Sequence, residues 1–592
     1  MYSRAITKPS PTRRGHTDDE PILLALVAVA RSPMPRETSA MTFAAARADL
    51  AAWRNAFPVD PYDADTPLQS VLARGMPADR LAALATEATS FGRAVVEVIG
   101  PAAARHERAG HTPELARWDG LGERIETVEF DPAYHRAGTS TWASGVVTHS
   151  GTPGRAYEQA TLLYLLSLEG EAGHGCPATC TIGLARALRR RAEPEVRDRF
   201  LPPLLERDYA KAERGSQFLT EVQGGSDVGA NATVAEPNGD GSYRITGEKW
   251  FCSVADAQQF LLTARVPDAP PGTRGLGCFV LPRMLDGAPN GFALRRLKDK
   301  LGTRGLASGE IDFDSAAAWP IGPVDEGFKT AVGIVLNTSR WMTAVGGAGM
   351  MRRAYLEASA YAAHRKAFGR PISGFPAVRR TIAGIHAEWL GALHLVFALT
   401  ALEDRIDADI ASELDELEHR FLVNATKYAV SIRTTEVVRD AIEILGGNGT
   451  IEDFSVLPRL YRDAMVYESW EGTHNVLAAQ VLTDLGRLPI LSVLEERVGK
   501  LYTRSTSPIA DELASRWEAA IVDANRAVTD TDYGAWNFRD ILDQISGLYT
   551  CAHLLHDGQP VAAEHLLRTR IAPGADPGLA ERVDALTSHA TT

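Results

Sequence analysis

The run Trp470-Glu471-Gly472-Thr473-His474-Asn475 sets a carboxylate beside an indole ring, just ahead of a glycine and a hydroxyl. A carboxyl group withdrawn from water holds its proton more tightly and becomes a stronger base near neutral pH. Trp470 supplies apolar cover, so Glu471 is the candidate base. Glu468 is the competing carboxylate, but no Gly-Thr follows it. Thr473 is placed to cap a helix running through Leu485, with His474 as a polar residue in its first turn. Read alone, Glu471 is equally a surface glutamate ahead of a helix, favoured there by the helix dipole.

Four more runs have chemical content. Leu219-Thr220-Glu221-Val222-Gln223-Gly224-Gly225-Ser226-Asp227-Val228 joins two hydroxyls to two glycines. Such a loop lets backbone N–H groups approach an anion, although a plain interdomain loop has the same composition. Gly247-Glu248-Lys249-Trp250-Phe251-Cys252-Ser253 puts an aromatic pair before a hydroxyl. Its ordinary counterpart is a buried strand. Arg365-Lys366-Ala367-Phe368-Gly369-Arg370 follows a helical stretch, where positive charge suits the dipole. Leu445-Gly446-Gly447-Asn448-Gly449 is a glycine-rich helix stop. The Cys176-x-x-x-Cys180 spacing after His174 lacks the two-residue step and second pair of a zinc site, so no metal is expected. Pro177 suits a first helical turn instead.

These groups must be held by several domains, because 592 residues exceed one compact core. Residues 1–40 mix Pro, Ser, Thr and charge without helical period and are expected to be a disordered extension, with Met41 as an alternative start. Residues 41–214 are expected to be a mostly helical domain, including an apolar stripe from Tyr157 to Leu168. Residues 215–324 hold short alternating runs bounded by Gly, Pro, Asn and Asp, and are expected to be a β-sheet or barrel. Residues 325–489 return to long helices, among them one with Phe421, Ala425, Tyr428 and Ile432 on one face. The small-residue run Gly346-Gly347-Ala348-Gly349 permits close helix packing. Residues 490–592 form an additional, net acidic helical module.

Composition narrows the function. The formal net charge is -13, which disfavours a strong non-specific grip on nucleic acid while leaving a local basic patch open. Five cysteines suggest reduced thiols and a cytoplasmic home. No run approaches the ~18 apolar residues of a membrane span, so no membrane insertion is expected. Asp18, Asp19 and Glu20 precede the apolar run at Pro21, where a signal peptide needs positive charge. No Gly-x-Gly-x-x-Gly stands between a strand and a helix, which argues against a Rossmann site.

Taken together, in this order, the five runs resemble the acyl-CoA dehydrogenase family from about residue 60 to 490. That family shares a Thr-Glu-x-x-x-Gly-Ser-Asp segment, a Trp-x-Thr/Ser strand, an Arg-x-x-Phe-Gly helix end, a Gly-Gly-x-Gly turn and a Glu-Gly-Thr/Ser base. Trp250-Phe251-Cys252-Ser253, the Leu297–Gly302 segment, Trp470-Glu471-Gly472-Thr473 and the extra C-terminal module resemble its AidB-like branch. The resemblance implies a mainly α, α+β fold: an N-terminal helical domain, a middle β-barrel, a C-terminal four-helix domain and an appended helical domain. It implies FAD held by Leu219, Thr220, Ser226, Phe251, Cys252, Ser253, Thr473 and Asn475. Thr220 and Ser253 would bond the flavin ring and Phe251 would cover it. Arg365, Phe368, Gly446 and Gly447 would reach the FAD of a neighbouring subunit in a homotetramer.

The implied reaction is α,β-dehydrogenation of an acyl-CoA or related thioester, with Glu471 taking the α-proton. Electron-transfer flavoprotein or another acceptor would reoxidise the cofactor. Phe251 stands where many relatives have Trp, Val222 where they have Pro, and Ser253 where Thr is commoner. All three changes are conservative for holding FAD. A second reading is an AidB-like flavoprotein that mainly binds DNA in a stress response and dehydrogenates weakly. The acidic C-terminal module argues against it. Oxidation of a nitroalkane on the same fold would call for an aspartate base, which Glu471 is not.

Overall fold

Ala-, Leu- and Arg-rich helices fill the first third of the chain, from Phe43–Arg54 to Pro194–Leu204. The computed structural model describes residues 42–574 and 576–588. The expected extension over 1–40 and the alternative start at Met41 therefore lie outside the described residues. Helix starts follow local chemistry. Asp65 accepts from the Leu68 amide at 3.1 Å and Asp131 from the Ala133 amide at 2.8 Å, capping two of these helices.

The region is mostly helical, as expected, but not wholly: β1 (Glu114–Trp118) pairs antiparallel with β2 (Arg124–Glu129). The turn is built by Asp119, whose Oδ1 accepts from the amides of Leu121 and Glu123. Buried Glu126 then accepts from the Leu294 amide at 2.7 Å, pinning this hairpin to the middle domain. Nor is Ala156–Leu166 amphipathic. Every residue of that helix is buried, so it is a central helix, without a stripe.

The middle of the chain is a barrel. Its strands are β3 (Gly215–Phe218), β4 (Val234–Pro237), β5 (Tyr243–Ser253), β6 (Gln259–Arg265), β7 (Leu276–Pro282), β8 (Phe292–Leu297) and β9 (Ser308–Pro320). The path β9-β5-β4-β6 is closed by β7, which pairs with both β6 and β9. Closure removes most of the open sheet edge. Phe218, Phe260, Phe279, Ile245 and Ile311 fill the interior.

Long helices then return: Asn337–His364, Pro376–Asp407, Glu413–Leu445, Leu457–Ser469 and His474–Arg487. Ser412 and Asp415 form a reciprocal capping box at the start of Glu413–Leu445, and Gly446 ends it at φ 60°. Phe421, Ala425 and Tyr428 are buried on that helix, as its spacing predicts. Pro376–Asp407 is long and apolar enough to cross a membrane, contrary to the sequence reading, and 83% of its apolar window is buried inside the protein. It is the core helix on which both the four-helix unit and the appended helices pack. The appended helices begin at Ile490 and dock through Tyr549, whose hydroxyl donates to Glu418 at 2.9 Å, and through Arg497, 2.9 Å from Asp415.

The Gly346–Gly349 run serves packing inside the chain. A Cβ on Gly347 would lie 2.7 Å from Thr434 Oγ1, and one on Gly349 would lie 2.4 Å from the Tyr164 carbonyl oxygen. Gly349→Ala is expected to destabilise by about 1–3 kcal/mol, because backbone cannot move aside as a side chain can. The urea midpoint of unfolding should fall. An unchanged midpoint would mean that these helices separate at no cost.

Candidate active site

Helix Leu457–Ser469 ends two residues before Glu471, and its end is held by two buried cations. Arg340 Nε donates to the Glu471 carbonyl at 3.0 Å. Lys427 Nζ donates to the carbonyls of Gly472 at 2.8 Å and Glu468 at 3.1 Å. Both satisfy carbonyls that a helix terminus leaves without partners. They hold Glu471 at φ 56°, a left-handed conformation that non-glycine residues avoid. Trp470 stacks at a tilt on Tyr467, centroids 4.8 Å apart, and packs against the barrel core.

The Glu471 carboxyl therefore faces both burial and two positive charges. Burial pushes it up to about 7, while Arg340, Lys427 and a hydrogen bond from Gln217 pull the other way. Gln217 Nε2 donates to Glu471 Oε1 at 3.2 Å and to Ser339 Oγ at 2.6 Å. Burial brings the Lys427 ammonium down to about 7, with Glu471 opposing the shift. Glu468 has the opposite fate. Burial would raise it too, but hydrogen bonds from His474 and Thr435 outweigh that and hold it below its ordinary value. Of the two carboxylates, Glu471 is the one poised to exchange a proton near neutrality.

The hydroxyl and aromatic residues meet on one side of the barrel. The β5–β9 register places Lys249 opposite Ile311 but Cys252 opposite Gly309, so β5 carries one extra residue at Trp250–Phe251. This bulge reverses the alternation. Lys249 and Cys252 both turn inward, while Phe251, 53% exposed, and Ser253 face outward together. The Cys252 thiol is thus in the barrel core, and only the backbone at that position is available to a cofactor. Trp250 N donates to Thr220 O at 2.9 Å, joining the first two runs. Gly225 lets the loop fold onto Thr220, since a Cβ there would lie 2.5 Å from Thr220 Oγ1.

The loop is anchored by an internal ion pair. Glu221 meets Lys249 Nζ at 2.7 Å with both side chains excluded from solvent. Glu221 also accepts from the amides of Ala232 and Thr233. Burial alone would raise Glu221, but Lys249 and these donors hold it at about 2.

The remaining site residues separate into groups. Leu219 and Thr220 are half-buried beside Gln217, whereas Ser226 is exposed on the loop. Thr473 occupies the N-cap position of His474–Arg487, but its side chain makes no capping bond. Asn475 is exposed and accepts from Arg539 of the appended helices at 3.1 Å. Arg365 ends helix Asn337–His364, and Phe368 and Gly369, both with positive φ, form a tight hairpin turn between Lys366–Ala367 and Arg370–Pro371. Phe368 is 89% exposed at its tip. Gly446 and Gly447 lie near that helix end, where Asn448 Nδ2 donates to Tyr361 Oη at 3.1 Å. Among the described residues, no cluster of three or more His, Cys, Asp or Glu is placed to hold a metal.

Gln217, Arg340 and Lys427, which surround Glu471, were not singled out by sequence. The available signal for Lys427 was a single charge within the stretch Phe421–Ile432 of an otherwise charge-rich helix, and for Gln217 a lone amide in the short strand β3.

A barrel between helical domains, with a glutamate of raised pKa tied to its strand β3 through Gln217, defines a class for which the comparisons are specific. Residues 325–485 match the acyl-CoA dehydrogenase C-terminal domain, 216–316 its middle domain, and 54–211 the adaptive response protein AidB N-terminal domain. The chain belongs to the acyl-CoA dehydrogenase family. Within it, the chain is 34% identical over 387 residues to the putative acyl-CoA dehydrogenase AidB of Escherichia coli, covering 63% of this chain and 69% of that protein. It is 33% identical over 466 residues to acyl-CoA dehydrogenase family member 11 of Caenorhabditis elegans, covering 75% and 73%. The structure of Caenorhabditis elegans ACDH-11 in complex with C11-CoA superposes with TM-score 0.79 at 27% identity, over 90% of this chain and 91% of that one. The structure titled Bd2924 apo-form gives 0.78 at 28%, over 84% and 98%.

Glu221→Gln would leave Lys249 buried without its counter-charge, which costs about 3–5 kcal/mol. The urea midpoint should drop, and adding Lys249→Met should restore much of it. A single variant as stable as the parent would show that the pair does not anchor the loop.

Proposed function

We propose that this protein is an FAD-dependent acyl-CoA dehydrogenase in which Glu471 removes the α-proton of an acyl thioester. The observation that carries the reading is the Glu471 carboxyl, raised to about 7 by burial, beside the hydroxyl-lined face of the barrel. Gln217 occupies Oε1 and leaves Oε2 as the atom to receive the proton. Arg340 and Lys427 fix the backbone on either side, so the carboxylate does not swing away as its charge changes. The outward pair Phe251 and Ser253, with Thr220, suits a flat heteroaromatic ring that needs one covered face and hydrogen bonds at its edge. FAD, when bound there, supplies the two-electron acceptor for the hydride leaving the β-carbon.

The relatives support the acyl-CoA class by name. Electron-transfer flavoprotein is the acceptor proposed, with a cytoplasmic location. The DNA-binding reading has less support, since the appended module carries more Asp and Glu than Lys and Arg. A homotetramer is proposed from Phe368. An aromatic ring 89% exposed on a strained turn is costly unless another surface covers it.

The reading is tested by anaerobic bleaching of the yellow protein with a panel of acyl-CoAs. Glu471→Gln keeps the shape of the side chain and cannot take the proton. It should retain FAD and lose most of the bleaching rate; a parental rate would remove Glu471 from the reaction. In the parent, the ionised fraction of Glu471 should rise about tenfold per pH unit below about 7 and level off above it, and the bleaching rate with it. Gln217→Leu removes a donor to the ionised form and should move that midpoint upward. A rate flat from pH 5 to 9 would contradict this assignment.

Phe368→Asp should convert the assembly to smaller species in sedimentation velocity. A parent that is monomeric with full FAD occupancy would sink the tetramer.

A further inference from the structure

We propose that Lys300 and Ser308 form a directed hydrogen-bond chain that fixes Ser253 as a donor toward the bound cofactor, making Lys300 a positioning residue of the flavin site. The proposal rests on the flavin reading above and adds to it a residue outside the cofactor-contacting runs.

Lys300 Nζ lies 2.7 Å from the Leu306 carbonyl oxygen and 3.1 Å from Ser308 Oγ. Ser308 Oγ lies 3.1 Å from Ser253 Oγ. An ammonium has three protons and no acceptor, so it donates in both contacts. Ser308 Oγ therefore accepts from Lys300, and its own proton is free to pass to Ser253. Ser308 is 3% exposed, so water offers that proton little alternative. Ser253 Oγ then accepts from Ser308, and its own proton is left to point outward. Two serines side by side have no intrinsic direction; the cation at one end supplies it.

The backbone holds this chain in place. Ser253 and Ser308 are cross-strand partners at the ends of β5 and β9, just beyond the bulge that turns Phe251 outward. Lys298, two residues before Lys300, donates its amide to the Ser308 carbonyl at 2.7 Å and sets its ammonium 3.7 Å from the Trp250 ring centre. Burial lowers the Lys300 pKa, and the carboxyls of Glu171, Glu107 and Asp463 with the Cys176 thiol oppose that loss of charge. The loop from Lys300 to Leu306 thus brings a positive charge behind a hydroxyl that faces the cofactor. A donor backed by positive charge stabilises an electron-rich ring more than an oxidised one.

The test uses the full-length protein. FAD affinity of the apoprotein and the two-electron midpoint potential of the holoprotein are measured for the parent, Ser308→Ala, Lys300→Met, Lys300→Arg, Ser253→Ala and the double variant Lys300→Met with Ser253→Ala. Ser308→Ala keeps the Lys300–Leu306 bond and removes only the link. It should weaken the reduced form relative to the oxidised form about tenfold, which lowers the potential by about 30 mV. Lys300→Met should do the same, Lys300→Arg should recover most of it, and Lys300→Met should have no further effect once Ser253 is Ala. An unchanged potential in Ser308→Ala with FAD still bound would overturn the chain. So would an equal effect of Lys300→Met with and without the Ser253 hydroxyl, which would make Lys300 a loop support. A parent that binds no FAD at all would remove the flavin reading and this proposal with it. Binding in the parent together with a silent Ser308→Ala would remove this proposal alone.

Discussion

The site depends on what happens to backbone carbonyls where helix Leu457–Ser469 stops. A helix end inside a protein carries unsatisfied carbonyl oxygens and a partial negative charge. Here Arg340 and Lys427 reach in from two other helices and take the carbonyls of Glu468, Glu471 and Gly472. This lets the chain turn through a left-handed residue with a carboxylate side chain, a conformation of higher energy than a glycine would need. The same two cations limit how far burial raises the carboxyl. One arrangement therefore sets both where Glu471 points and how strongly it holds a proton.

The barrel solves a complementary problem. A strand with regular alternation would send Lys249, Phe251 and Ser253 to one face. The extra residue at Trp250–Phe251 separates them, so that Lys249 meets Glu221 inside while Phe251 and Ser253 face out. A charge buried to hold a loop and an outward-facing aromatic thus share a short stretch of one strand. Gln217 of β3 then ties the barrel to Glu471 of the helical domain through a single amide.

Much of this was legible in the sequence, and the reasons differ by element. The order of helices, strands and helices followed from periodicity and from turn residues, and the sequence singled out Glu471, whose carboxyl burial raises, through Trp470 and the Gly-Thr that follows. The bulge was not legible, because period-two patterning assumes that no residue is inserted, and so the inward turn of Lys249 away from the face of Phe251 and Ser253 could not be read. The hairpin of β1 and β2 was missed because its turn rests on one aspartate amid short, charged strands. Ala156–Leu166 and Pro376–Asp407 misled in the same way. A helix buried on all sides has no polar face to reveal its period, and a core helix matches a membrane span in composition. Lys427 was hidden because charge at a core position is legible only when its partner carbonyls, forty residues away, are known.

Glu468 and Glu471 show why position in sequence settles less than surroundings. They are three residues apart and chemically equivalent, and burial acts on both in the same direction. Glu468 faces a histidine and a threonine hydroxyl that favour its charge, and it becomes a stable anion. Glu471 has one long amide contact to its carboxylate, while its cations spend their hydrogen bonds on backbone oxygens, so for Glu471 the burial effect prevails. Had Arg340 and Lys427 turned their donors to the carboxylate, Glu471 would be held ionised like Glu221 and would be a weak base. Directing those donors to the carbonyls keeps the carboxylate basic and the chain rigid, and the proposed proton abstraction calls for both.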